Sequence, residues 1–262
     1  MYIDISRRRD NGLPLLCKND IEQIAKLYLE DFNSKILEEP VPMPIEEFLE
    51  NYLNLDPDYA DITPDGSVLG LTTFDSGNLT VYDLENNRYR DIPVARGTVI
   101  IDNTLVSGDQ EGRFRFTCGH ECGHWILHRD MFKSDENQLN IFDMLNNKEA
   151  KSIKCLKRNF EKYSSKRTLE TDNDWMEWQA NFTSSCFIMP KDTFIMASLN
   201  IFRKVGIYTD YIVLGQDFDT YEFADDMSRR LSKIFNVSIQ AASIRLRQLK
   251  LIREETAQLG YY

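Results

Sequence analysis

The chain has 262 residues, of which 42% are hydrophobic and 28% charged, enough for one sizeable core or two small ones. A formal net charge of −11 argues against a general nucleic-acid binder, because phosphate contacts need a basic footprint. No apolar run approaches a membrane span, and no apolar segment follows the charged start Arg7-Arg8-Arg9. The expectation is therefore a protein without membrane association or secretory leader, located in the cytoplasm. Five cysteines without framework spacing fit a reducing compartment and free thiols.

In chain order, Asp20 to Phe32 reads as an amphipathic helix through Ile21, Ile24, Ala25, Leu27 and Tyr28. A second runs from Ile45 to Leu53 behind Pro40, Pro42 and Pro44. The texture then changes to short β-like runs, Val68 to Phe74, Asn78 to Leu84 and Thr98 to Ile101, with turn signals at Asp75 to Gly77 and Glu85 to Asn87. These predict a small antiparallel sheet, whose exposed edge could hold an extended peptide by backbone hydrogen bonds.

The next element carries the chemistry. Gly119-His120-Glu121-Cys122-Gly123-His124 holds two of the chain's three histidines, four residues apart, with a glutamate directly after the first. On a helix this spacing stacks both imidazoles on one face, close enough to share a zinc ion, with Glu121 beside them as general base. About a 100° arc collects Arg113, Thr117, His120, Glu121, His124 and His128, while the rest of the circumference is apolar or small. Such a helix is buried, and its polar stripe needs partners. Cys118 and Cys122 fall on the opposite side and read as packing residues. Gly119 and Gly123 cost about 2 kcal/mol relative to alanine, which implies a neighbour whose backbone approaches closely.

A hydrolytic zinc site takes three protein ligands and leaves one position for water. His128 fails as the third ligand, since eight helical residues rise about 12 Å; it is expected at the site mouth or capping the helix end. The charged stretch Arg129 to Asn173 reads as solvated helix or loop, with eight basic residues between Lys148 and Arg167. Beyond it, Trp175 to Phe182 forms a helix on which Glu177, Asn181 and Ser184 share a face. That supplies an acidic ligand, an amide able to orient a ligand histidine, and a small neighbour. Glu170, Asp172 and Asp174 are rivals better suited to helix capping or solvation. Tyr163, Tyr208, Tyr211, His128 and Arg113 are all candidates for an oxyanion donor.

Near the C-terminus, Ser228 to Arg253 holds seven basic residues and no acidic ones. Leu231, Ile234 and Phe235 form a helical stripe, Asn236-Val237 turns the chain, and Ser238 can cap a helix with Ala242, Leu246 and Leu249 inward. The pair resembles a helix-turn-helix, with Arg245, Arg247 and Lys250 expected outward. The same surface could dock an acidic partner or close the catalytic domain.

Arg113-Phe114-Arg115-Phe116-Thr117 leading into His120-Glu121-Cys122-Gly123-His124-Trp125-Ile126-Leu127-His128, then Glu177-Trp178-Gln179-Ala180-Asn181 and Phe187-Ile188-Met189-Pro190, resemble the ImmA/IrrE family of bacterial metallopeptidases. Thr183-Ser184-Ser185 departs from the family's aromatic-alanine-alanine pattern, which bears on local packing. The resemblance implies an α+β, zincin-like metallopeptidase domain over residues 1–205 and a C-terminal helical subdomain over 206–262. It implies one catalytic Zn2+ held by His120, His124 and Glu177, with Glu121 as base. It also implies an intracellular enzyme acting on a partner repressor. The alternative is a transcription regulator with a structural or sensory metal site and a DNA-binding C-terminal helix pair.

Overall fold

The computed structural model describes residues 3–106, 109–132, 149–156, 169–215 and 219–254. Helix α1 (Lys18–Asn33) buries Ile21, Ile24, Ala25, Tyr28 and Leu29, the stripe expected from a 3.6-residue period. The Asp20 carboxylate accepts a hydrogen bond from the Cys17 backbone N–H at 2.8 Å and so fixes the helix start. The short helix α2 (Ile45–Glu47) runs into a π-helical turn, Phe48–Tyr52. Phe48 stacks there on Tyr52 and meets Phe187 at 5.0 Å between ring centroids.

Five strands follow: β1 (Asp56–Ala60), β2 (Val68–Thr73), β3 (Gly77–Asp83), β4 (Arg88–Val94) and β5 (Thr98–Asp102). The long helix α3 (Glu111–His128) comes next, then β6 (Ser152–Leu156). The main sheet has the order β1-β5-β2-β6 and is mixed rather than wholly antiparallel, because β1 runs parallel to β5 while β2 is antiparallel to both β5 and β6. Strands β3 and β4 form a separate hairpin. β2 and β5 are buried along their whole lengths, as central strands with both faces covered should be.

Of these six strands, β1, β4 and β6 escape the sequence expectation. β1 and β4 are mostly exposed and lack an apolar run. β6 lies inside the stretch read as solvated helix or loop, yet Ile153 and Cys155 point inward around an outward Lys154. The rest of the Lys148 to Arg167 run lies largely outside the described residues.

The C-terminal part is largely helical: α4 (Asp172–Ile188), α5 (Lys191–Lys204), α6 (Thr220–Phe235) and α7 (Ile239–Gln248). A two-stranded parallel pair, β7 (Ile212–Leu214) with β8 (Ile252–Glu254), accompanies them. The Thr171 hydroxyl accepts from the Asp174 N–H at 3.1 Å, and the Asp174 carboxylate accepts from the Thr171 N–H at 3.0 Å. Asp174 therefore caps α4, as its position suggested, while Asp172 pairs with Arg9. Asn236 ends α6 in a left-handed conformation (φ 51°), and the Ser238 hydroxyl accepts from the Ala241 N–H at 3.1 Å to start α7.

Arg245 corrects the expectation of an outward basic face. It is fully buried, its guanidinium donating to Glu22 at 2.7 and 3.0 Å and to the Met189 carbonyl at 3.1 Å. Arg247 and Lys250 remain exposed. Leu231, Phe235 and Leu246 join the same core cluster as Ile21, Phe187 and Cys122. The architecture is an α+β, zincin-like domain in which a small sheet flanks the motif helix and a helical segment follows. No helix among the described residues is long and apolar enough to cross a membrane.

Candidate active site

Helices α3 and α4 pack together through the two glycines. A Cβ on Gly123 would lie 3.1 Å from both the Cα and the carbonyl oxygen of Ala180, and one on Gly119 would lie 2.6 Å from Ser184 Oγ. Only hydrogen at these positions allows the approach, which accounts for both glycines despite their helix cost. The hydroxyls of the polar Thr183-Ser184-Ser185 run are all satisfied, that of Ser184 across this interface. Thr183 donates to the Gln179 carbonyl at 2.8 Å, Ser184 to the Phe116 carbonyl at 2.7 Å, and Ser185 to Gln248 at 3.4 Å.

The close packing brings Glu177 of α4 against the α3 histidines. The Nε2 atoms of His120 and His124 lie 2.9 Å apart. Glu177 places Oε1 3.3 Å from His124 Nε2 and Oε2 3.7 Å from His120 Nε2. All three residues are buried, and one potential ligand atom from each falls within 4.8 Å of the others.

Hydrogen bonds behind the rings assign their protons. The Gln179 amide NH2 donates to the Pro14 carbonyl at 2.7 Å, which can only accept, so Gln179 Oε1 is the atom facing His128 Nε2 at 2.9 Å. His128 Nε2 therefore carries a proton, and its Nδ1 accepts from His124 Nδ1–H at 3.0 Å. On the other ring, His120 Nδ1–H donates to Asn181 Oδ1 at 3.0 Å. In this tautomer neither Nε2 carries a proton, and the two face each other beside a carboxylate. Burial above all holds His120 and His124 at a pKa of about 3, so a bridging proton is not retained at neutral pH. A divalent cation resolves this repulsion, and two imidazoles with a carboxylate are a donor set that zinc takes.

Glu121 is fully buried beside this cluster. Thr72 of β2 donates to Glu121 Oε2 at 2.7 Å, while Oε1 has no hydrogen-bond partner among the described residues. Burial pushes its carboxyl well above the ordinary range; the Thr72 hydrogen bond opposes this and the Glu177 charge adds to it. Gly70 lets β2 approach, since a Cβ there would sit 2.8 Å from Glu121 Oε1 and 2.7 Å from Thr117 Cγ2.

The four residues expected from sequence therefore meet in one place. His128 corrects its expectation: it is fully buried behind His124, with both ring nitrogens engaged, neither at the mouth nor capping the helix. Among the other oxyanion candidates, Arg113 is exposed and bonded to Gln110, Tyr208 is 84% exposed, and Tyr211 lies under the Arg253 guanidinium. Tyr163 falls outside the described residues. Sequence reasoning missed Thr72, Gln179 as anchor of the histidine chain, and Cys155, which contact the site from elements far away in sequence.

This geometry is that of an HExxH-type zinc metallopeptidase active site, with a buried His/Glu/His set matching a mononuclear zinc centre. No family model matches the chain, and no curated protein matches its sequence.

Proposed function

We propose that the protein is a regulatory zinc endopeptidase of the ImmA/IrrE kind, working in the bacterial cytoplasm on a partner protein such as a helix-turn-helix repressor. Residues 1–205 form its catalytic part and 206–262 a helical subdomain that braces it. The observation that carries the peptidase reading is the convergence of the His120 and His124 Nε2 atoms with the Glu177 carboxylate, with Glu121 alongside. The repressor as substrate rests on the resemblance in the two motif segments.

In this reading His120, His124 and Glu177 hold the ion. Zinc, when bound there, supplies Lewis-acid activation of water and of the scissile carbonyl. Glu121 is the base: Thr72 fixes Oε2, which leaves Oε1 to accept the proton of the attacking water. The same oxygen then returns a proton to the departing amine. Its raised proton affinity suits the task, because a carboxyl of ordinary acidity takes up a proton poorly at neutral pH and loses it readily to solvent. Asn181 and the His128–Gln179 chain keep both imidazoles in the tautomer that points a lone pair inward.

The transcription-regulator alternative is weakened by Arg245, which binds Glu22 inside the protein instead of facing phosphate. Changing Glu121→Gln separates the two. The peptidase reading expects zinc retained and cleavage of a co-expressed candidate repressor lost; cleavage equal to the parent removes the base.

A further inference from the structure

The site is sealed. His120, Glu121 and His124 have no exposed surface, and Glu177 has 4%. A hydrolytic zinc centre keeps one position for water and substrate, so something in this conformation stands over it. The strand β6 is placed to do so. It pairs antiparallel with β2, with Cys155 in register opposite Gly70 and Ile153 opposite Thr72. These are the two β2 residues that touch Glu121, one through its missing side chain and one through its hydroxyl.

Cys155 is fully buried, and its sulfur forms a compact set with a ring nitrogen of His120 and a carboxylate oxygen of Glu121, all within 4.8 Å of one another. A thiol surrounded by apolar groups behaves as a small hydrophobe; this one faces an imidazole and a carboxylate. Glu121 Oε1, which faces the Gly70 position opposite Cys155, is a buried oxygen without a hydrogen-bond partner among the described residues. Sulfur and nitrogen ligands of one zinc stand about 3.5 Å apart, given bonds of about 2.3 and 2.0 Å. The Cys155 sulfur lies within 4.8 Å of a His120 ring nitrogen but is not in one set with His124 and Glu177, so it reaches their ion only by an inward shift of β6.

We propose that Cys155 is a fourth, displaceable metal ligand, delivered by β6 to the coordination position that hydrolysis needs open. Ligation replaces the S–H bond by a metal–sulfur bond, and the proton leaves together with the water displaced. The ligated form is then a resting form, and substrate gains the metal only when β6 withdraws its thiolate. The inference rests on His120, His124 and Glu177 being zinc ligands.

Zinc-edge X-ray absorption on the full-length zinc-loaded protein tests it, with Cys155→Ala compared and Cys155→Ser as a near-isosteric second variant. The expected result is one sulfur scatterer at about 2.3 Å in the parent, lost in both variants while zinc stoichiometry is unchanged. Zinc bound stoichiometrically in the parent with nitrogen and oxygen neighbours alone overturns the Cys155 proposal and leaves the three-ligand site standing. A parent that binds no zinc overturns both.

Discussion

His128 Nε2 donates to Gln179 Oε1 at 2.9 Å, and this contact sets the proton on a ring that is itself no candidate for the metal. Through His128 Nδ1, it obliges His124 to carry its proton on Nδ1 and to turn Nε2 toward the site. Gln179 is in turn held by the Pro14 carbonyl, so a residue before the first helix constrains the tautomer of a histidine on α3. Replacing Gln179→Leu should lower zinc affinity by about 10- to 100-fold, the usual effect of removing a partner behind a ligand. Asn181→Leu should do the same through His120. Competition against a chromophoric chelator measures both, and unchanged affinity would mean that the rings need no such support.

Thr72 donates to Glu121, which is the base and not one of the three ligands, so its hydroxyl should matter to turnover and not to metal content. Thr72→Val keeps shape and removes the donor. Cleavage should fall by about 10-fold or more, in line with a loss of roughly 1.5 kcal/mol for a hydrogen bond to a charged group, with zinc content unchanged. Loss of zinc in this variant would assign Thr72 to the metal instead.

Gly123→Ala places a methyl 3.1 Å from the Ala180 backbone, in an interface that cannot yield by rotating a side chain. Overpacking of this kind costs about 1–3 kcal/mol, only partly offset by the helix preference of alanine, about 1 kcal/mol. A lowered urea midpoint with unchanged slope is the expected result. A midpoint at or above the parent's would show that α3 and α4 can separate freely.

Arg245 and Glu22 form a buried pair that joins α7 to α1. Glu22→Ala should destabilise by about 3–5 kcal/mol, because it leaves the guanidinium charge buried with only neutral partners such as the Met189 carbonyl. Replacing the pair together with apolar residues should cost much less. A double-mutant cycle by urea unfolding checks the difference.

The features legible in sequence were those carried by helical periodicity. His120, Glu121 and His124 announced themselves by spacing, Glu177 and Asn181 by sharing a face, and Gly119 and Gly123 by the cost that a close neighbour must offset. What stayed hidden depends on partners distant along the chain. Arg245 sits in a basic run and looks solvent-facing until Glu22, 223 residues earlier, is placed beside it. His128 is too far along the helix to reach a metal at His120, yet only the fold shows that Gln179 and Pro14 make it the support of His124. β6 has the inward alternation of a strand at Ile153 and Cys155, but five residues within a basic stretch give too short a pattern to stand out from its surroundings.

The metal itself is the most direct test. Elemental analysis of the purified full-length protein after zinc loading and dialysis should give about one zinc per chain, with the content lost in Glu177→Ala and in His124→Ala and retained in Glu121→Gln. A folded parent that neither carries nor takes up a divalent ion, or a Glu177→Ala variant that holds zinc as tightly as the parent, would contradict the account.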